Sequence, residues 1–123
     1  MQKNVLQLQD RGEAYLNFTG TLSSKATLKH YLFLIQRYAV FRKTLDLDNI
    51  IAEDSANIKL TAAHVREFLL SLQAKHLSPG SMANYRHALK HFYEMNDIPL
   101  NWKKINKFAR MEDDKTLRQQ DRA

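Results

Sequence analysis

Ser78-Pro79-Gly80-Ser81-Met82-Ala83-Asn84-Tyr85-Arg86-His87-Ala88-Leu89-Lys90-His91-Phe92-Tyr93 decides how this chain is read. Ser78 is a helix-capping residue type, and Pro79 suits the first helical position, where a missing amide hydrogen costs nothing. At about 100° per residue, Met82, Tyr85, Leu89, Phe92 and Tyr93 fall in one apolar stripe, while Asn84, His87 and His91 lie opposite with Lys90 on the shoulder. The segment is therefore expected to be a capped helix with a buried face and a polar one. The polar face carries no acid before Glu94, and Asn, His and Lys side chains suit contact with phosphate and base edges.

The rest of the chain follows the same helical grammar. It has 3 Gly and 2 Pro in 123 residues and no Cys, and its apolar residues recur at spacings of three and four. A first helix is expected over about Leu6 to Phe18, with Leu8, Ala14, Tyr15 and Phe18 on one side and Gly12 blurring its start. A long second helix runs from about Ser24 to Leu45. It carries Leu28, Tyr31, Leu32, Ile35, Tyr38 and Ala39 on its stripe, with His30, Phe33 and Arg37 opposite. At a rise of ~1.5 Å per residue it would be about 30 Å long. Asp46 to Leu60 lacks sustained periodicity and reads as a connection with at most one helical turn at Asn49 to Ala52. Thr61 is expected to cap a third helix reaching about Lys75, burying Val65, Phe68, Leu69 and Leu72. The Ser78 helix ends near Asn96, Ile98-Pro99-Leu100 breaks the chain, and Asn101 caps a short helix with Trp102, Ile105 and Phe108 facing inward. The expected fold is all-α: a compact bundle of four main helices plus a short C-terminal helix. Residues 1–110 form one domain, and residues 111–123 are a polar tail reading as a linker to a further domain.

Charge narrows the function. Nineteen Lys and Arg oppose 13 Asp and Glu, for a net charge of +6 and an isoelectric point near 9.7, which points to nucleic acid or another anionic surface. The cations are concentrated. Lys25, Lys29, Arg37, Arg42 and Lys43 fall within Ser24 to Lys43 with no acid among them. Arg86, Lys90, Lys103, Lys104, Lys107 and Arg110 meet only Glu94 and Asp97 between Ser78 and Arg110. The acids gather in the middle, at Asp46, Asp48, Glu53 and Asp54, and in the tail. No apolar run approaches the roughly 18 residues of a membrane span, and the N-terminus lacks a signal peptide's apolar block. A cytoplasmic, nucleoid-associated protein is expected, and absent cysteine fits a reducing compartment.

Two helices that each follow a hydroxylated segment, Leu22-Ser23-Ser24-Lys25-Ala26-Thr27 and Leu77-Ser78-Pro79-Gly80-Ser81, resemble the SAM-like core-binding domain of tyrosine recombinases, the phage-integrase family. Thr27 to Tyr38, the ring Val65-Arg66-Glu67-Phe68-Leu69-Leu70-Ser71-Leu72 and the ending Tyr85-Arg86-His87-Ala88-Leu89-Lys90-His91-Phe92-Tyr93 carry the likeness, which covers about Leu6 to Phe108. Phe92-Tyr93 followed by Asn96, Ile98, Pro99, Leu100, Asn101 and Trp102 looks most like integrases of archaea and their mobile elements. The resemblance implies one half of a clamp around double-stranded DNA, with the long helix and the Ser78 helix turned to the major groove. It thereby makes Lys25, Thr27, Lys29, His30, Arg37, Ser81, Asn84, His87, Lys90 and His91 candidate DNA contacts. Lys103, Lys104 and Lys107 are candidates for gripping phosphate or for solubilising the end of the domain.

The family's catalytic domain brings an Arg, a Lys, a His-x-x-Arg pair, a His or Trp and a nucleophilic Tyr. None of the five His here is followed three positions later by Arg, so no catalysis is expected of this chain. The catalytic domain, in cis or on other protomers, becomes an expected partner. The isolated domain is expected to be a monomer. His87 and His91 are four apart but lack a third ligand, so no metal or cofactor is expected. The five Tyr lie on or beside apolar stripes and read as core. Phe33 is open to three uses: a thymine methyl, a neighbouring protomer, or burial against the first or fifth helix. The competing reading is a helical protein-interaction module without DNA affinity. A helix-turn-helix regulator fits less well, because a long acidic connection and another helix separate the two basic helices.

Overall fold

The computed structural model describes residues 7–108. Its element order is α1 (Glu13–Thr19), α2 (Lys25–Phe41), α3 (Leu47–Ala56), α4 (Ile58–Ala74), α5 (Pro79–Met95) and α6 (Trp102–Phe108), with no strand among the described residues. The expected all-α bundle is present. The tail from residue 111, the cation Arg110 and the proposed start at Leu6 lie outside the described residues.

The two helices that carry the reading start as their sequences dictate. The Ser24 hydroxyl accepts the Thr27 amide at 3.3 Å to open α2, and Ser78 accepts the Ser81 amide at 3.2 Å to open α5, with Pro79 in the first turn. Both also end in one geometry. Lys43 (φ 66°) and Asp97 (φ 61°) take the left-handed conformation. The next amides, of Thr44 and Ile98, reach back to the carbonyls of Ala39 and Tyr93. This closes the helix with a residue other than Gly, and the buried Ile98 supplies the apolar contact that accompanies such ends. Helix α2 stops four residues short of the expected Leu45 for this reason.

The middle of the chain departs from expectation. The stretch from Asp46 to Leu60 holds a ten-residue helix, α3, over Leu47–Ala56, joined through Asn57 alone to α4, which begins at Ile58. Asp46 accepts the Asp48 amide at 3.0 Å, and Asn57 accepts the Leu60 amide at 3.0 Å. Leu47 and Ile50 are buried, and the next position on their stripe is Asp54, equally buried at 1% exposure. An acid in the third core position hides the helical period. Thr61 is not the cap of α4 but a buried residue within it, its hydroxyl donating to the Asn57 carbonyl at 2.8 Å.

Helix α1 is also shorter than expected, and Gly12 is the reason. It sits at the N-cap with φ 96° and no side chain to cap with, so Asp48 from α3 caps in its place, accepting the Ala14 amide at 2.8 Å. A Cβ on Gly12 would fall 2.3 Å from an Asp48 carboxylate oxygen. Residues 7–11 belong to no helix and are tied to the α2–α3 connection by the Gln9 amide, which donates to the Leu45 carbonyl.

The core lies where α5 packs on α2, α4 and α1, with α3 bracing α1 and α4. Tyr38, Phe68, Tyr85 and Tyr93 interlock edge to face at centroid separations of 5.1–6.3 Å, and Phe18, Phe92, Tyr31 and His91 form a second aromatic group. Such pairs prefer this offset geometry. Helix α6 rests on α4, with Ile105 buried and Asn101 accepting the Lys104 amide at 3.0 Å. Phe108, expected inward, is 54% exposed and instead lies under the Arg66 guanidinium, 5.0 Å from its ring centroid.

Candidate nucleic-acid interface

Along α2 the buried stripe is Leu34, Ile35, Tyr38 and Ala39, so Lys25, Thr27, Lys29, His30 and Arg37 point to solvent. Along α5 the buried residues are Met82, Tyr85, Ala88, Leu89, Phe92 and Tyr93, which leaves Asn84, His87 and Lys90 exposed and Ser81 partly so. The helices touch at Tyr31 and His91, whose rings are 5.8 Å apart. His30 and Lys90, the immediate chain neighbours of that pair, are both exposed. Lys103, Lys104 and Lys107 are exposed on α6.

His91 differs from the other candidates. Its ring is half-buried beside Phe18 and Tyr31, and Nε2 lies 2.9 Å from the Phe18 carbonyl oxygen. It joins α1 to α5 beneath the exposed row of Asn84, His87 and Lys90. Lys29 has an acid near it: Asp10 lines the same hollow, together with Tyr15, Leu32 and Phe33. Phe33 packs against neither the first nor the fifth helix in the way that would bury it. It is 56% exposed and is covered on one side by the Arg37 guanidinium, 5.6 Å from its centroid. Lys75, at the end of α4, is a cation that no local pattern groups with α2. It joins Arg37 at a groove of about 370 Å³ between α2 and α4, floored by Phe68 and Leu72. Only tertiary packing brings these two positions together.

The largest correction to the charge map concerns Arg42. Its side chain is 4% exposed and lies inside the bundle, where Nη2 donates to Asp54 Oδ1 at 2.7 Å and Nη1 to Asp54 Oδ2 at 3.0 Å. Nη2 also reaches Glu53 at 2.9 Å, and Nη1 donates to the Tyr38 hydroxyl at 2.9 Å. The Tyr93 hydroxyl donates to Asp54 Oδ2 at 2.5 Å and lies 2.7 Å from the Tyr38 hydroxyl. Burial pushes the Tyr38 phenol up to about 12 against the lowering pull of Arg42. Burial likewise raises Tyr93 well above the ordinary phenol, helped by Tyr38 and Asp54. Desolvation would lower Arg42, but the hydrogen bond to Asp54 and the neighbouring phenols outweigh it and hold the guanidinium charged.

Each mid-chain acid thus has a partner within the fold, and only Asp54 is buried. Asp54 and Glu53 face Arg42, Asp46 caps α3 and Asp48 caps α1. What remains on the outside of α2 is Lys25, Lys29, Arg37 and Lys43, on a segment without an acid. No three His, Cys, Asp or Glu among the described residues could together hold a metal ion, and no described helix is long and apolar enough to cross a membrane.

Comparison with known proteins agrees with this architecture. Residues 10–96, from the segment before α1 through the end of α5, match the family described as phage integrase, N-terminal SAM-like domain. Neither a curated protein nor a solved structure matches the chain. The match spans well over half of the 123 residues and takes in both Ser-capped helices, so the chain belongs to the phage integrase N-terminal SAM-like domain family.

Proposed function

We propose that this chain binds double-stranded DNA through the exposed faces of α2 and α5 and so positions a tyrosine recombinase on its recombination site. The observation that supports it most is the separation of charge: Asp54 is buried against Arg42, Asp46 and Asp48 are hydrogen-bonded to helix starts, and the exposed cations Lys25, Lys29 and Arg37 lie on a helix that carries no acid of its own. Lys25, Lys29, Arg37, Lys75 and Lys90 supply phosphate contacts, and Thr27, His30, Ser81, Asn84 and His87 supply shorter polar groups suited to base edges. Lys103, Lys104 and Lys107 extend the grip along the backbone. Cleavage and rejoining fall to a catalytic domain, in cis or on another protomer, and this domain does no chemistry. Kinship with archaeal integrases is a finer part of the proposal, resting on the pattern from Phe92 to Trp102.

A salt titration tests it. With about six phosphates neutralised, the logarithm of affinity for a labelled duplex should fall against log salt with a slope near −5, at about 0.9 per contact. Binding by one clamp half is expected on the order of 10⁻⁴ to 10⁻⁶ M at physiological salt. A flat response, or no binding at low salt, refutes the reading. A second reading has one observation in its favour: Phe33, Val40 and Phe41 all expose apolar surface on α2. A protein-docking role predicts salt-tolerant association without DNA affinity.

A further inference from the structure

The hydrogen-bonded cluster around Asp54 is more than a buried ion pair, because its members come from the elements that carry the proposed contacts. Tyr38 belongs to α2 and directly follows Arg37. Arg42 is the C-cap of α2, Asp54 belongs to α3, and Tyr93 belongs to α5, three residues after Lys90. Tyr38, Tyr93 and Asp54 are at most 1% exposed.

The direction of every proton in the cluster follows from donor counting. Ionised Asp54 only accepts, so Tyr93 gives its one hydroxyl proton to Oδ2 at 2.5 Å. The Tyr93 oxygen is then the acceptor for the Tyr38 proton across 2.7 Å. The Tyr38 oxygen in turn accepts from Arg42 Nη1 at 2.9 Å, and the fork of Arg42 on Asp54 closes the ring. Each group has one arrangement that satisfies it. Displacing α2 relative to α5 would stretch or bend the 2.7 Å Tyr38–Tyr93 bond inside a buried cluster, where a polar group that loses its partner is costly. Apolar packing around it tolerates such slippage far better.

We infer that Tyr38 and Tyr93 are positioning residues for DNA recognition: their hydroxyl pair, anchored on Asp54 and Arg42, fixes how α2 lies against α5 and thereby the spacing between the two rows of DNA-contacting side chains. This rests on the reading of α2 and α5 as the DNA-binding faces. Neither tyrosine touches DNA itself. They act by holding His30 and Arg37 in register with His87 and Lys90.

The test uses Tyr38→Phe and Tyr93→Phe, which keep the ring and remove only the hydroxyl, with Val65→Ala as a control that loosens the core within α4. In the duplex titration the Phe variants should bind roughly tenfold more weakly, and loss of about one phosphate contact should bring the salt slope from near −5 to near −4. Val65→Ala should keep the wild-type slope. Because the chain has no Cys, spin labels at Ala26→Cys on α2 and Glu94→Cys on α5 report the interhelical distance directly. Tyr93→Phe should broaden or shift that distribution, and Val65→Ala should leave it narrow. If the wild type binds with the expected slope while the Phe variants match it in slope and in distance distribution, the positioning role is overturned and the DNA reading stands. If the wild type does not bind duplex, both fall.

Discussion

Replacing Arg42 by Met should cost this domain about 3–5 kcal/mol, because it leaves the Asp54 carboxylate buried without its counter-charge. The figure follows from the surroundings. Asp54 is 1% exposed, and the fork from Arg42 occupies both its oxygens. Once Arg42 is gone, only the Tyr93 hydroxyl still bonds the carboxylate. Glu53, the other partner of Arg42, is 61% exposed on its side chain and contributes at most about 1 kcal/mol, so Glu53→Gln should be nearly silent. The double replacement Arg42→Met/Asp54→Leu removes both charges. It should be less damaging than Arg42→Met alone, with a residual loss from Tyr38 and Tyr93 hydroxyls that have lost partners. With Asp54→Leu added to complete the double-mutant cycle, urea unfolding followed by circular dichroism at constant m value measures all five proteins, and the cycle isolates the pair. A loss under about 1 kcal/mol for Arg42→Met, or strict additivity in the cycle, would show that the pair is solvated and the account of α3 wrong.

Three further outcomes follow. Lys90→Glu should weaken duplex binding and reduce the salt slope by about one while the far-ultraviolet spectrum is unchanged, whereas Leu89→Asp should unfold the domain by burying a charge with no partner. In alkali the folded protein holds the Tyr38 proton until about pH 12, whereas an unfolded chain releases it near 10. Stability should therefore be full below pH 10 and fall as pH rises from there towards 12, by about 1.4 kcal/mol per pH unit for that phenol; unfolding curves that do not change between pH 9 and 11.5 would contradict it. Gly12→Ala should cost roughly 1–3 kcal/mol, since φ 96° strains any L side chain and the added Cβ collides with Asp48. The measurable companion is lost amide-exchange protection at Ala14.

What could be read from the chain alone was whatever local periodicity carries. The Ser24 and Ser78 caps, the stripes of α2 and α5, and the outward turn of Lys25, Lys29, Arg37, Asn84, His87 and Lys90 depend on residues within a turn or two of one another, and each stands in the structure as its spacing implied. What failed did so for long-range reasons. Helix α3 was illegible because its stripe reads Leu47, Ile50, Asp54, and an acid belongs in a core position only if a cation elsewhere meets it. Arg42 looked like one more member of a basic helix for the same reason, seen from the other side. The start of α1 was blurred because its cap comes from Asp48, 34 residues away from Ala14. His91 looked like an exposed member of the polar face because the carbonyl that engages it belongs to Phe18.

These misreadings share one physical cause, and it bears on function. A small basic domain presenting cations to an anionic partner must keep its own acids from neutralising that face. Four acids between Asp46 and Asp54 are enough to cancel the outer cations of α2, and within a Debye length of about 10 Å they would do so. Here Asp54 is sealed inside with Arg42, Glu53 pairs with the same Arg42, and Asp46 and Asp48, although still charged, are held by the backbone amides of Asp48 and Ala14. The arrangement predicts an asymmetry that composition cannot. Asp48→Asn keeps a capping oxygen and adds one positive unit, yet it should change duplex affinity far less than removal of one outer cation, because that carboxylate is committed to the start of α1. Lys25→Gln and Lys90→Gln should each shift the salt slope, and Asp48→Asn should not. An Asp48→Asn protein that gained as much affinity as Lys90→Gln lost would mean that net charge, and not the placement of the cations on α2 and α5, governs binding.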